Sequence, residues 1–371
     1  MIAPNRPDVA IVGAGIVGCS TAVELASAGV EVTVFDRQAP GSGATGAAAG
    51  ILSPQAETAG PGPLLDLFLE ARDLYPRLVD QLRQETGRDV GYRTPGTILL
   101  AFDAEEEAEL QRCHEWQSLA GLPVELLPAG RIHTLEPAVI RSVRMGLLLP
   151  QDHQVDNGLL IEALAEQARL RGVRFRIGEP VDEVVIFGGK LLGLHVGGER
   201  IECGAALIAA GCWSGQIGEL PERLAVVPVR GQMIEIQSGP PVVEHVLFRS
   251  NRYLVPRADG RILVGSTQEW AAVEAEVTVA GIGGLIAHAL EIVPALKNLP
   301  IRRTWAGLRP GTEDGLPILG ASKAEGLFYA TGLYRSGILL GPLVGRLAAQ
   351  LILHGRASWP LEPFSPHRVT G

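Results

Sequence analysis

Gly13, Gly15 and Gly18 stand in the spacing G-x-G-x-x-G, directly after the β-branched run Val9 to Val12, and the next apolar run ends in an acid, Asp36. Each residue type has a chemical use at its place. The first glycine permits a tight turn, the second lets backbone approach a pyrophosphate, and the third lets a helix lie close on a strand. A helix from about Ile16 to Ala28 would then aim its free N–H groups and dipole at the phosphates, with Ile16 and Val17 in its first turn. Asp36 ends the second strand, where a carboxylate accepts the ribose hydroxyls of an adenosine. The constellation predicts a dinucleotide site and leaves NAD or FAD open. Arg37 is a 2′-phosphate ligand or a solvated surface charge.

Other clusters of chemical residues carry less. Asp152, His153 and Asp156 lie close in sequence, but turn and N-cap roles suffice for them. Glu105, Glu106 and Glu107 are adjacent, so they point in different directions and read as a solvated helix start. The four cysteines, Cys19, Cys113, Cys203 and Cys212, show no metal-ligand spacing. They read as reduced thiols of a cytoplasmic protein without a metal site.

The elements that must position the glycine turn follow from periodicity. The chain has 371 residues, 46% hydrophobic and 20% charged, enough for two to three domain-sized units with a large core. Its net charge of -9 disfavours nucleic acid and anionic membrane as partners. The longest apolar run, Ile338 to Leu353, is interrupted by Arg346 and reads as a packed helix rather than a membrane span. Pro40 to Gln55 is dominated by small residues, as expected of a loop and helix start packed against a large flat ligand. A second small-residue run, AAGCWSG around Gly211, follows the apolar strand Ala205 to Ala210. Val181 to Phe187 and Leu191 to Val196 read as strands turning at Gly188-Gly189, and Tyr253 to Pro256 and Arg261 to Ser266 as strands turning at Ala258-Asp259-Gly260. Glycine-rich turns at both chain ends, with strand-rich stretches between, predict an α/β fold of two interleaved units. Residues 1–75, 146–215 and 301–371 form a Rossmann-like dinucleotide-binding domain, and 76–145 and 216–300 an antiparallel-sheet substrate domain.

Several segments together resemble the D-amino-acid oxidase superfamily and, within it, the glycine oxidase branch linked to thiamine biosynthesis. They are VGAGIVGCSTAVELA with Asp36, GATGAAAGIL, PQDHQVDNGLL, AALIAAGCWSGQI, VVPVRGQM, RYLVPRADGRILVGST, TWAGLRPGTEDGLPILG and GLYRSGILLGPLVG, in order over nearly the whole chain. The resemblance implies FAD, oxidation of glycine, sarcosine or a small D-amino acid to the imine, reoxidation of the flavin by O2 with release of H2O2, supply of that imine to thiamine thiazole synthesis, and a homotetramer. By position, Arg309 would hold the substrate carboxylate, since a planar guanidinium matches a carboxylate bidentately. Tyr253 would assist it, and Arg335 would stand beside the substrate. Ala44, Thr45, Ala49, Gly50, Ile51 and Val181 would line the cofactor, as would the backbone of Leu333, Tyr334, Arg335, Ser336, Gly337, Ile338 and Leu339. Gln268 occupies a pocket position where the branch has methionine, and Asn251 one where it has histidine. All four cysteines precede residue 213, so FAD is expected to be non-covalent. An FAD-dependent dehydrogenase using another acceptor and a non-catalytic flavin-binding subunit are the competing readings.

Overall fold

Val9–Val12 pairs in parallel with Val32–Asp36 on one side and Ala205–Ile208 on the other, and this trio centres a six-stranded sheet. Its order is Ile318–Ala321, Leu327–Thr331, Ala205–Ile208, Val9–Val12, Val32–Asp36, Arg174–Ile177, with only the first pair antiparallel. The computed structural model describes residues 7–271 and 273–369. Strand alternation divides the centre between two cores. Val9 and Ile11 face helices Ile16–Ser27, Pro63–Thr86, Asn157–Leu170 and Gly337–His354. Ala10 and Val12 face an antiparallel three-stranded sheet, Val181–Phe187, Lys190–Val196 and Glu199–Glu202. Gly188 and Gly189 make its first turn, both at positive φ as a tight hairpin requires.

Gly337–His354 is long and apolar enough to cross a membrane by length and composition, yet 67% of it is buried inside the protein. A Cβ on Gly341 would press into Ile16 and one on Gly345 into Ser20 and the Thr21 backbone. These glycines let the last helix lie directly on the first, as a core helix does.

A second, nine-stranded sheet is built around Val227–Gln237, which pairs on one edge with Ile301–Gly311 and on the other with Arg261–Gly265 and Glu269–Trp270. Arg252–Pro256, Val246–Arg249, Thr97–Ala101, Met145–Leu149 and Glu125–Pro128 extend it. Ile234, Ile236, Leu254, Ile262 and Val264 point to a core closed by helix Val279–Ile292. The alternate residues Met233, Tyr253, Val255 and Leu263 point the other way and meet Ala49 and Ile51.

Two strands lie on the other side of the expected division. Ile301–Gly311, expected among the dinucleotide-binding segments, hydrogen-bonds along nearly the whole of Val227–Gln237. Met145–Leu149 pairs with Thr97–Ala101 and not with the first sheet. Helix Pro63–Thr86 also straddles the expected boundary at residue 75, because Leu67, Ala71, Tyr75 and Leu82 share one buried face. Of the three acids at the start of helix Ala104–Leu119, Glu106 and Glu107 are half-buried and paired with arginines rather than freely solvated, Glu107 with Arg144 at 2.9 Å. Glu106 accepts from Phe102 N at 2.6 Å and pairs with Arg249 at 2.9 Å.

Candidate active site

The glycine turn is tight because each glycine has a different neighbour. Gly13 has φ +111°, and a Cβ there would collide with the Ala209 carbonyl. A Cβ on Gly18 would collide with the Gly13 carbonyl, so this glycine seats helix on strand and does not itself line the cavity. Gly15 meets only Thr45 Oγ1, at 3.4 Å, and opens toward the cavity. Asp36 accepts from Ala14 N at 2.7 Å and Gln38 N at 2.8 Å, which fixes its carboxylate at the cavity rim.

That cavity, about 480 Å³, runs between the two sheets. Gly13, Gly15, Ile16, Val17, Asp36, Arg37, Ala44, Thr45, Ala49, Gly50, Ile51, Val181, Gly211, Tyr253, Arg309 and each of residues 333–339 line it. The small-residue run forms one wall. Its carbonyls are held from remote parts of the chain: Asn157 Nδ2 donates to Thr45 O at 2.8 Å and Gly46 O at 3.2 Å, and Trp305 Nε1 to Ala47 O at 3.0 Å. Arg37 is exposed and its guanidinium lies 3.7 Å over the Trp213 ring, beside the Asp36 end.

At the other end, Arg309 Nη1 donates to Thr267 O at 3.1 Å and Nη2 to Ser266 Oγ at 2.6 Å. The guanidinium lies flat across Gly231, where any Cβ would collide with it. Tyr253 is buried, and its hydroxyl has a weak sulfur acceptor, Met233 Sδ at 3.6 Å. Arg335 makes a two-point contact with Glu57, at 2.8 and 2.9 Å. Burial works against the Arg335 charge, but the Glu57 carboxylate outweighs it and holds the pKa above the ordinary arginine value.

Gln268 lies outside the cavity lining and accepts from the Tyr334 hydroxyl at 3.2 Å. Asn251 is exposed in the turn before Arg252–Pro256, away from the cavity. Asp156 caps helix Asn157–Leu170 through Gly158 N and Leu159 N. His153 is held to about 4 by burial, then by the nearby Arg72 charge, and Asp152 is buried behind the wall. No His, Cys, Asp and Glu group suited to a metal occurs among the described residues. Burial pushes the Cys19 thiol to about 12 and Cys212 to about 11, so both are protonated and inert.

The residues that sequence reasoning missed are Glu57, Gly231, Ser266, Thr267 and Trp213. Gly231 sits inside the quoted VVPVRGQM segment, and its glycine in mid-strand was the available signal. The donor set fits a dinucleotide. Two helices begin at the cavity without a cap from their own N-cap residue, at Gly15 and Ser336; Thr45 Oγ1 accepts from Ile16 N at 3.1 Å, and the remaining first-turn N–H groups are offered to an anion.

A glycine cradle on a parallel sheet, facing a second sheet across one cavity, is the arrangement of a dinucleotide-dependent oxidoreductase. The FAD dependent oxidoreductase (DAO) family matches residues 8–351, and the chain belongs to that family. Its cofactor is FAD. The chain is 36% identical to glycine oxidase of Geobacillus kaustophilus over 99% of this chain and 98% of that one. The crystal structure of glycine oxidase from that organism covers 99% of this chain and 100% of its own, with a TM-score of 0.95 at 35% identity. The bifunctional protein ThiO/ThiG of Synechocystis sp. is 35% identical over 97% of this chain, which spans 54% of that longer protein.

Proposed function

We propose that the protein oxidises glycine, or a comparably small amino acid or amine such as sarcosine or D-alanine, to its imine, with O2 reduced to H2O2. The imine would supply thiamine thiazole synthesis, a reading supported by the likeness to both glycine oxidase and ThiO/ThiG proteins. FAD, bound non-covalently, supplies the two-electron acceptor chemistry. Residues of the glycine turn, the small-residue wall and positions 333–339 would hold it.

The observation that carries this reading is the flat Arg309 guanidinium. Two of its five N–H groups are committed to Ser266 and Thr267, which fixes the plane and leaves the rest for a carboxylate. Tyr253 can redirect its hydroxyl from a weak sulfur acceptor to the same carboxylate. Glu57 is occupied by Arg335, so among the described residues it is not a free general base at the reacting end. Orientation and exclusion of water by Ala49, Ile51 and Met233 then supply much of the rate. The protein is proposed to work as a cytoplasmic homotetramer, the assembly following from the family resemblance.

The test is anaerobic mixing with glycine, followed by peroxide release in air with glycine, sarcosine and D-alanine. Bleaching and peroxide with glycine support the proposal. Bleaching without peroxide means another electron acceptor, and no bleaching with any of the three removes the assignment.

A further inference from the structure

Arg257 is 4% exposed, although it sits in the turn between Arg252–Pro256 and Arg261–Gly265. The turn is fixed by backbone bonds from Arg257 N to Arg261 O and from Gly260 N to Arg257 O. Its side chain therefore runs inward. Nη2 donates to Ala49 O at 2.7 Å and Nη1 to Gln154 Oε1 at 2.9 Å. Gln154 belongs to the strand paired with Ile51–Leu52, so one guanidinium ties the cavity wall to its neighbouring strand and to the nine-stranded sheet.

Both of those acceptors are neutral. Burial lowers the Arg257 pKa to about 10, opposed by the Asp156 carboxylate, so the group keeps its proton at neutral pH. Asp156 is itself bound to Arg261 at 2.7 Å and to the N–H groups of its helix. A protonated guanidinium thus stands one carbonyl behind the wall, opposed by the Asp156 and Asp259 carboxylates that Arg261 shares, and the low dielectric lengthens its reach. The wall at this point is the reacting end, because Ala49 and Ile51 pack with Tyr253 and Met233.

We propose that Arg257 is a positioning residue that both braces the Ala49–Ile51 wall and, as a buried cation, raises the reduction potential of the bound flavin. Two-electron reduction leaves a flavin more negative than its oxidised form, so a fixed cation behind the wall favours the reduced form. A brace alone would weaken FAD binding without moving the potential. The inference rests on the FAD-binding reading and not on the identity of the substrate.

The test is a reductive titration against a reference dye, with FAD dissociation measured alongside, for wild type, Arg257→Lys, Arg257→Gln and Gln154→Glu holoenzymes. Arg257→Gln should lower the potential and weaken FAD binding about tenfold, the scale of one lost charge-assisted hydrogen bond. Arg257→Lys should keep a potential near wild type while binding FAD less well. Gln154→Glu places a carboxylate on the guanidinium and should lower the potential with Arg257 still in place. A wild-type potential in Arg257→Gln overturns the proposal, and if that variant does not fold, a wild-type potential in Gln154→Glu does so. Neither readout uses substrate, so failure of the glycine assignment would leave this result intact.

Discussion

Glu57 and Arg335 face each other across the reacting end of the cavity, Oε2 to Nε at 2.8 Å and Oε1 to Nη2 at 2.9 Å. The family resemblance implies two arginines by the substrate, Arg309 and Arg335. The ion pair divides their roles. Arg335 is paired with its neighbour, and Arg309, held only by a hydroxyl and a carbonyl, is the cation proposed to take the substrate carboxylate.

Arg309→Ala should raise KM for glycine about ten- to a hundredfold, the equivalent of about 1.5–3 kcal/mol for a charged hydrogen-bond partner. Flavin content should not change, because the side chain bonds to Ser266 and Thr267 and not to the glycine turn. Steady-state kinetics with absorbance of bound flavin checks both, and an unchanged KM would remove Arg309 from the carboxylate.

Glu57→Gln should leave a buried cation uncompensated, at a loss on the order of 3 kcal/mol in stability. Both side chains are mostly buried, 16% and 17% exposed, so solvent recovers little of it. The freed guanidinium should also attract small anions. The expected outcome is a lower thermal midpoint and tighter inhibition by acetate. Acetate inhibition equal to wild type would mean that Arg335 does not face the substrate space.

Much of this arrangement is legible in the sequence where the signal is local. The strand, glycine turn, helix and Asp36 fall in one short stretch, and the Gly188-Gly189 turn announces its hairpin by residue type. Glu57 is not legible, since it is a single acid in a small-residue run whose partner lies 278 positions away. Glu106 fails for the same reason, because Arg249 reaches it from a strand 143 positions further on. Sheet membership of Ile301–Gly311 depends on which edge of Val227–Gln237 is open, and the strand's own residues carry no record of that edge.

Asp152 is buried, and burial pushes its carboxyl from 3.8 to about 8, only partly offset by the facing Gln55 N–H and Ser53 hydroxyl. The raised folded value means that the native state keeps a proton that the unfolded chain has lost. Stability from this group is therefore present below about pH 4 and declines as pH rises toward 8, by about 1.4 kcal/mol per unit. His153, lowered to about 4 from 6.5, acts in the opposite direction and only over that more acid window. Asp152→Asn should thus gain stability over wild type between pH 6.5 and 8, read as thermal midpoints at both values. Equal differences at the two pH values would place the Asp152 titration elsewhere.

Asn157→Ala should weaken FAD retention more than Trp305→Phe. Asn157 holds two carbonyls of the wall, Thr45 and Gly46, and Trp305 only Ala47. Dialysis followed by FAD titration measures it. Because the three carbonyls are consecutive, the double variant should lose less than the sum of the two.

Gly231→Ala tests the plane of Arg309 without removing its charge. The new methyl would meet the far end of a flexible side chain and no backbone, so the protein should fold and hold FAD while the guanidinium is displaced. KM for glycine should rise toward that of Arg309→Ala, with the flavin spectrum unchanged. A wild-type KM in Gly231→Ala, beside a raised one in Arg309→Ala, would show that the carboxylate needs the charge near it and not the orientation that Ser266 and Thr267 impose.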